Sequence, residues 1–321
     1  MTLKYVDCAQ PGFTRRRVND KFRYYYPDGK LVTNSRLSAR LDAIALPPAY
    51  TSEWYALDER SHILATGIDE RGRKQYRYHP AYRDLQDQEK YAQCPAFGRA
   101  LPSIRAAVET DLARRDLSME RVVAAVVRLL DLGSVRVGNA RYARENKSYG
   151  ATTMTNRHAG VAGTRVKLQF VGKSGKMQNI TIADGKLARV VRRCLDTPGQ
   201  LLFQYDDGDG GFRPVESCDV NAYLRRHGGE FTAKTFRTWS GSAIAFGAWA
   251  EAGVTARIQP VMERVAAQLG NTPAIARKSY VHPAIIDAIT DRMAPPSPLP
   301  RSRRYLGRNE LGLLRFLDER G

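Results

Sequence analysis

The sequence predicts an α+β protein: a small β-rich amino-terminal domain, residues 1–82, and a larger, mainly α-helical domain, residues 83–321, that carries a β-hairpin sheet. Three observations lead there. Up to about residue 80, short aromatic and β-branched runs alternate with turn sequences. From about Ala81 onward, apolar residues recur at helical spacing. Inside that helical stretch, residues 165–171 and 177–182 flank Gly172-Lys173-Ser174-Gly175-Lys176, which reads as two strands and a tight connection.

In chain order, residues 21–26 form an aromatic-rich strand, Pro27-Asp28-Gly29-Lys30 a turn, and residues 31–33 a returning strand. Residues 38–45 read as a short helix ended by Pro47-Pro48. Residues 62–67 and 74–78 bracket Asp69-Glu70-Arg71-Gly72-Arg73 as a hairpin. Its second arm alternates Lys74, Tyr76 and Tyr78 with Gln75 and Arg77, giving a cationic and aromatic face that would suit nucleic acid. Residues 101–114 are amphipathic, and Ser118 opens a helix rich in valine and leucine. Further helices are expected at residues 185–194, 218–226, 232–251, 256–269 and 309–318, with Thr232 as an N-cap and Gly270 as a stop. The proline-rich stretch 293–300 is a break.

An apolar content of 43% is ample for a core. Lys+Arg 51 against Asp+Glu 33 gives a net charge of +18, spread along the chain, which points to a polyanion. DNA or RNA is the first candidate and an acidic membrane surface the competitor. No apolar run approaches the roughly 18 to 20 residues needed to span a bilayer. The opening residues lack the apolar segment of a secretory signal. Cys8, Cys94, Cys194 and Cys218 are far apart, and the five histidines show no ligand spacing. The expectation is a reduced, cytoplasmic and nucleoid-associated protein with no metal and no cofactor.

Candidate chemistry gathers in four places. Arg136 lies between small residues in Gly133-Ser134-Val135-Arg136-Val137-Gly138-Asn139. Lys173 stands at the tip of the second hairpin. Lys234 and Arg237 are three residues apart, on one helix face by spacing. Tyr280 closes Arg277-Lys278-Ser279-Tyr280, nine residues after Asn271, whose amide is a hydrogen-bond donor. A tyrosine phenol can attack a phosphodiester, and cations aimed at the nonbridging oxygens would stabilise the charge that develops. Taken singly, each residue also has an ordinary structural explanation: a surface cation, a charged turn, one packed tyrosine among 16. Gly172-Lys173-Ser174 does not complete a P-loop, because the upstream glycine is missing and strands flank it.

Taken in order, the segments resemble the active-site boxes of type IB DNA topoisomerases, in the compact form of bacteria and poxviruses. The match comprises Arg136-Val137-Gly138-Asn139 with Tyr142 and Glu145-Asn146, then Phe170-Val171-Gly172-Lys173, then Lys234-Thr235-Phe236-Arg237-Thr238, then Asn271-Thr272-Pro273 leading to Tyr280. It extends to Ala65-Thr66-Gly67 and Gly72-Arg73-Lys74-Gln75-Tyr76-Arg77-Tyr78-His79, and so covers most of the chain. The resemblance implies the catalytic fold shared with tyrosine recombinases. It implies Tyr280 as nucleophile, Arg136 and Arg237 as stabilisers of a pentacoordinate phosphorane, and Lys173 as general acid. The fifth position is histidine in the eukaryotic and poxvirus branches and Asn271 here, as in the bacterial branch. Losing charge assistance there would weaken one hydrogen bond by about 1 kcal/mol.

The implied partner is double-stranded DNA, held by a monomer that clamps the duplex. Lys234, Tyr142, Arg73, Lys74, Tyr76, Arg77 and Lys278 are the expected DNA contacts. The implied reaction is ATP- and metal-independent relaxation of supercoils through a 3′-phosphotyrosyl intermediate. The closest rival is a tyrosine recombinase or integrase, which usually carries His-x-x-Arg where this chain has Lys234-Thr235-Phe236-Arg237. A non-catalytic nucleic-acid binder would make the four boxes coincidental.

Overall fold

The computed structural model describes residues 2–320. Two compact units divide between Glu89 and Lys90, seven residues beyond the expected boundary and inside a long helix. In the first unit, β1 (Thr14–Val18) pairs antiparallel with β2 (Lys21–Tyr25). After α1 (Ser35–Ala43), β3 (Thr51–Tyr55), β4 (Ile63–Ile68) and β5 (Lys74–Tyr78) form a meander in that order. The hairpin expected around residues 69–73 is β4–β5.

The partner of β2 differs from the sequence expectation. Asn19 and Asp20 take φ of 49° and 60°, the left-handed pair that a two-residue hairpin turn requires, and such a turn favours these residue types. The strand therefore pairs backward with residues 14–18. The turn at residues 27–30 also forms, with Gly29 N–H donating to the Tyr26 carbonyl at 2.9 Å, but the chain returns as a single bridge from Tyr25 to Leu31. The first helix starts three residues earlier than expected, because the Asn34 side chain caps the Leu37 amide at 2.9 Å. Phe13, Tyr24, Val32, Leu41, Leu46, Tyr55 and Ala65 make this unit's core.

Helix α2 (Pro80–Asp111) runs for 32 residues through Pro95 and Pro102, so the expected amphipathic segment is only its last third. It is followed by α3 (Met119–Gly133) and α4 (Ala140–Asn146). A three-stranded antiparallel sheet comes next: β6 (Ala159–Ala162), β7 (Arg165–Val171) and β8 (Met177–Ala183). Then come α5 (Gly185–Leu195), the short pair β9 (Gln204–Asp206) and β10 (Phe212–Pro214), and α6 (Ser217–Gly228). The remaining helices are α7 (Ala233–Ala252), α8 (Ile258–Leu269), α9 (Pro273–Ser279), α10 (Pro283–Thr290) and α11 (Arg308–Asp318).

α3 is buried almost all round, from Arg121 to Leu130, as expected of a helix without a polar face. It packs against α5, α6, α7 and β8. α7 crosses the same core through Phe236, Trp239, Phe246 and Trp249. Arg105 of α2 links Asp131 (2.7 Å) and Glu310 (2.8 Å), and Glu310 also accepts from the Trp239 indole at 3.0 Å. Removing one member of such a buried set typically costs about 3–5 kcal/mol. Among the described residues no helix is long and apolar enough to cross a membrane.

Candidate active site

Tyr280 ends α9, a helix of seven residues started by Thr272, whose hydroxyl accepts the Ile275 amide at 3.3 Å, with Pro273 in its first turn. The Tyr280 amide closes the last turn on the Ala276 carbonyl at 3.0 Å. Behind it stands α7. Ser242 Oγ donates to the Tyr280 carbonyl at 3.3 Å and accepts the His282 amide at 2.9 Å. Gly241 admits the tyrosine backbone so closely that a Cβ there would lie 2.6 Å from the Tyr280 carbonyl oxygen.

One turn earlier on α7, Arg237 is only 4% exposed, and its guanidinium carbon lies 4.8 Å from the Tyr280 ring centroid. It has no carboxylate partner among the described residues. It donates through Nη1 to the Ser134 carbonyl and through Nη2 to the Leu269 carbonyl at 2.9 Å. Ser134 is the C-cap of α3 and Leu269 the last residue of α8, so two helix C-termini converge on one cation and their dipoles favour it there. Burial, and then the nearby charge of Arg136, still lower its pKa to about 10.

Arg136 lies in the loop after α3, where its own carbonyl accepts the Ala151 amide at 2.8 Å. Gly138, at φ 103°, lets this loop lie against Gly150, where a Cβ would meet Gly138 Cα at 2.6 Å. The guanidinium donates to Asn271 Oδ1 at 2.9 Å. That uses the Asn271 acceptor and leaves its donor: Asn271 Nδ2 is buried with no hydrogen-bond partner among the described residues, and so is Arg237 Nε. Unmatched buried donors are rare in folded proteins and ask for an acceptor. Burial pushes the Tyr280 phenol upward, but the nearby charges of Arg237 and Arg136 outweigh it and hold the phenol below its ordinary value.

Four of the five expected residues thus gather as two contacting pairs, Tyr280 with Arg237 and Arg136 with Asn271, and the charge of Arg136 is felt at both Arg237 and Tyr280. Lys173 is not. It is exposed in the turn between β7 and β8 and makes no hydrogen bond or ion pair among the described residues. The hairpin itself reaches the site through residues that the sequence did not single out. Lys176 Nζ donates to the Asn271 carbonyl at 3.2 Å, and Gln178 packs against Gly270. Gly241 and Ser242 were also missed; their only sequence signal is a Gly-Ser pair one helical turn beyond Arg237.

The expected DNA contacts fall in varied settings. Lys234 is exposed although Arg237, three residues on, is buried, so the shared face inferred from spacing is split between solvent and core. Tyr142 on α4 is 49% exposed, and Lys278 on α9 is exposed. In the first unit Arg73 pairs with Asp69 at 2.7 Å, and Arg77 donates to the Ala45 carbonyl at 3.1 Å. Lys74 Nζ donates to Cys8 Sγ at 3.0 Å, and Tyr76 stacks on Tyr78 with centroids 5.9 Å apart.

Comparison with known proteins gives the same direction. Residues 79–295 match the model for the catalytic core of eukaryotic DNA topoisomerase I, and residues 21–69 the model for the N-terminal domain of bacterial DNA topoisomerase IB. The chain is 31% identical to DNA topoisomerase 1B of Acanthamoeba polyphaga mimivirus over 84% of its length and 85% of the relative's. It is 18% identical to DNA topoisomerase 1B of Vaccinia virus (strain Copenhagen) over 84% and 90%. With DNA topoisomerase 1 of Mycosarcoma maydis the identity is 23%, over 61% of this chain but only 22% of the relative.

Proposed function

The chain belongs to the type IB DNA topoisomerase family and is an enzyme of that class, and from that premise we propose that it relaxes supercoiled DNA through a covalent ester at Tyr280. The observation that carries the proposal is the seating of the Tyr280 ring against the Arg237 guanidinium, within the field of Arg136 and beside two buried donors that lack acceptors among the described residues. A scissile phosphate would supply those acceptors.

In the proposed cycle the Tyr280 oxygen attacks the phosphorus, the bond to the 5′-oxygen breaks, and a 3′-phosphotyrosyl ester forms. Arg136 and Arg237 offset the charge growing on the nonbridging oxygens, and Asn271 Nδ2 donates a neutral hydrogen bond to one of them. Lys173 protonates the leaving 5′-oxygen once DNA binding draws the hairpin turn over the phosphate. The freed end swivels about the intact strand, and the 5′-hydroxyl then attacks the ester and releases Tyr280. The ester conserves the phosphodiester bond energy, so the cycle uses neither ATP nor a metal ion. A monomer whose amino-terminal unit closes on the opposite face of the duplex would form a clamp. Lys74, Tyr76, Arg77, Tyr142, Lys234 and Lys278 would extend the phosphate and groove contacts, while Arg73 acts chiefly through Asp69.

The test is relaxation of supercoiled plasmid in EDTA without ATP, by the wild type and by Tyr280→Phe. Relaxation by the wild type alone supports the proposal. Binding by both proteins with relaxation by neither refutes it. Joining of two specific sites without general relaxation would move the chain to the recombinase side.

A further inference from the structure

At the opposite end of α3 from Arg136, the carboxyl end of α2, the start of α3 and the last turns of α5 border an open cleft of about 420 Å³. Six arginines line it: Arg114, Arg115, Arg121, Arg189, Arg192 and Arg193. The 15 residues of α3 separate it from the tyrosine site by about 22 Å at the usual helical rise. It therefore plays no part in the chemistry at Tyr280.

The charge in this cleft is largely uncompensated. Arg114 pairs with Asp111 at 2.8 Å, and that carboxylate also accepts from the Tyr223 hydroxyl at 2.7 Å. The other five arginines have no carboxylate partner among the described residues. Asp116 is turned to its neighbour, accepting from Ser118 Oγ at 3.0 Å. Arg121 is the informative member. It is 5% exposed, and Nη1 donates to the carbonyls of Arg115 (2.9 Å) and Asp116 (2.7 Å), while Nε is buried with no partner among the described residues. Burial, and then repulsion from Arg193 and Arg189, pull its pKa down. Around it, Arg193 is tied to the Arg115 carbonyl at 2.9 Å and Arg192 to the Gly163 carbonyl at 3.1 Å. Carbonyl acceptors leave the charge of both unneutralised.

Like charges gathered in a concave site around an orphaned donor are stabilised by a compact anion carrying several charges. The concavity selects for size and shape. A backbone phosphodiester, flanked by sugars, presents one charge at a time to a convex surface, whereas a linked phosphoryl chain can enter a cleft and meet several guanidiniums together. We propose that this cleft is a binding site for an oligophosphate chain, separate from the DNA-cleaving centre. Inorganic tripolyphosphate and the triphosphate tail of a nucleotide share that chemistry.

The experiment is calorimetric titration of the full-length chain with tripolyphosphate at near-physiological salt, repeated with a nucleoside triphosphate and with orthophosphate. The variants are Arg189→Gln/Arg193→Gln, which alters exposed side chains, and Arg136→Gln, which alters the tyrosine site. Saturable one-to-one binding that weakens at least about tenfold in the double variant and is kept in Arg136→Gln supports the proposal. Equal affinity for both chain ligands assigns recognition to the phosphates, and tighter nucleotide binding adds a base contact to the same site. Binding lost in Arg136→Gln and kept in the double variant overturns the proposal. So does non-saturating uptake, or orthophosphate binding as tightly as the chain. Duplex binding that falls in the double variant, with no tripolyphosphate bound by the wild type, assigns the cleft to the DNA backbone and also overturns it.

Discussion

Gly241→Ala tests whether α7 sets the position of the nucleophile. On sequence grounds the change is favourable, because alanine in a helix interior is better than glycine by about 0.8–1 kcal/mol. The structure predicts the opposite effect on function. The new Cβ would lie 2.6 Å from the Tyr280 carbonyl oxygen and 3.0 Å from its Cβ. Relief to an ordinary contact of about 3.4 Å needs a displacement of about 0.8 Å, taken up by the end of α9 because α7 is buried on this face. Overpacking of this kind costs about 1–3 kcal/mol, which the helix gain partly offsets. Folded stability should therefore fall by no more than about 2 kcal/mol. A misplacement near 1 Å at a reacting group can slow a reaction about 100-fold. Single-turnover cleavage of a labelled duplex should accordingly drop by roughly 10- to 100-fold while the thermal midpoint moves little. A wild-type cleavage rate in the folded variant would refute the positioning argument.

Three further expectations follow from the same contacts. Arg237 and Arg136 hold the Tyr280 phenol below its ordinary value, so in Arg136→Gln the pH at which cleavage levels off should move upward; an unmoved inflection in a pH–rate profile would remove Arg136 from that role. His282 is held by burial at about 4 and caps α10 through an unprotonated ring nitrogen that accepts the Ala284 amide. Its unfolded form takes up a proton near 6.5 and its folded form only near 4, so its contribution, of the order of 3 kcal/mol at most, is complete above 6.5 and lost as pH falls toward 4; His282→Asn should flatten that part of the thermal-stability curve, and an unchanged slope would count against it. Lys173→Ala should cleave a normal duplex slowly, yet recover on a 5′-bridging phosphorothiolate whose sulfur leaves without protonation; no recovery would exclude the acid role.

The helical boundaries of α7 and α8 were legible because their signals are local. Thr232 takes the N-cap position of α7, with its amide donating to Thr235 Oγ1 at 3.4 Å, and Gly270 ends α8 at φ 64°. The β7–β8 hairpin was legible for the same reason. The pairing of β2 was misread because two left-handed residues at Asn19-Asp20 carry less visible turn chemistry than Pro27-Asp28-Gly29. At the site, the identities of Arg136, Arg237, Asn271 and Tyr280 came from ordered motifs, and their convergence could not. It depends on the ends of α3 and α8 meeting at Arg237, which are carbonyl groups and leave no mark on residue type. Gly241 was invisible for a related reason: a glycine needed for close approach looks, in sequence, like any weak point in a helix. Spacing alone also misled at Lys234, because a three-residue interval spans the edge between the solvated and buried sides of α7.

The most direct measurement traps the reaction halfway. A duplex whose downstream strand dissociates after cleavage, labelled on the upstream strand, is mixed with the enzyme and the adduct is mapped by proteolysis and mass spectrometry. The account predicts one adduct, a DNA 3′-phosphate esterified to Tyr280, formed in EDTA and absent from Tyr280→Phe. An adduct at another residue, a 5′-phosphate linkage, or trapping that survives in Tyr280→Phe would contradict it.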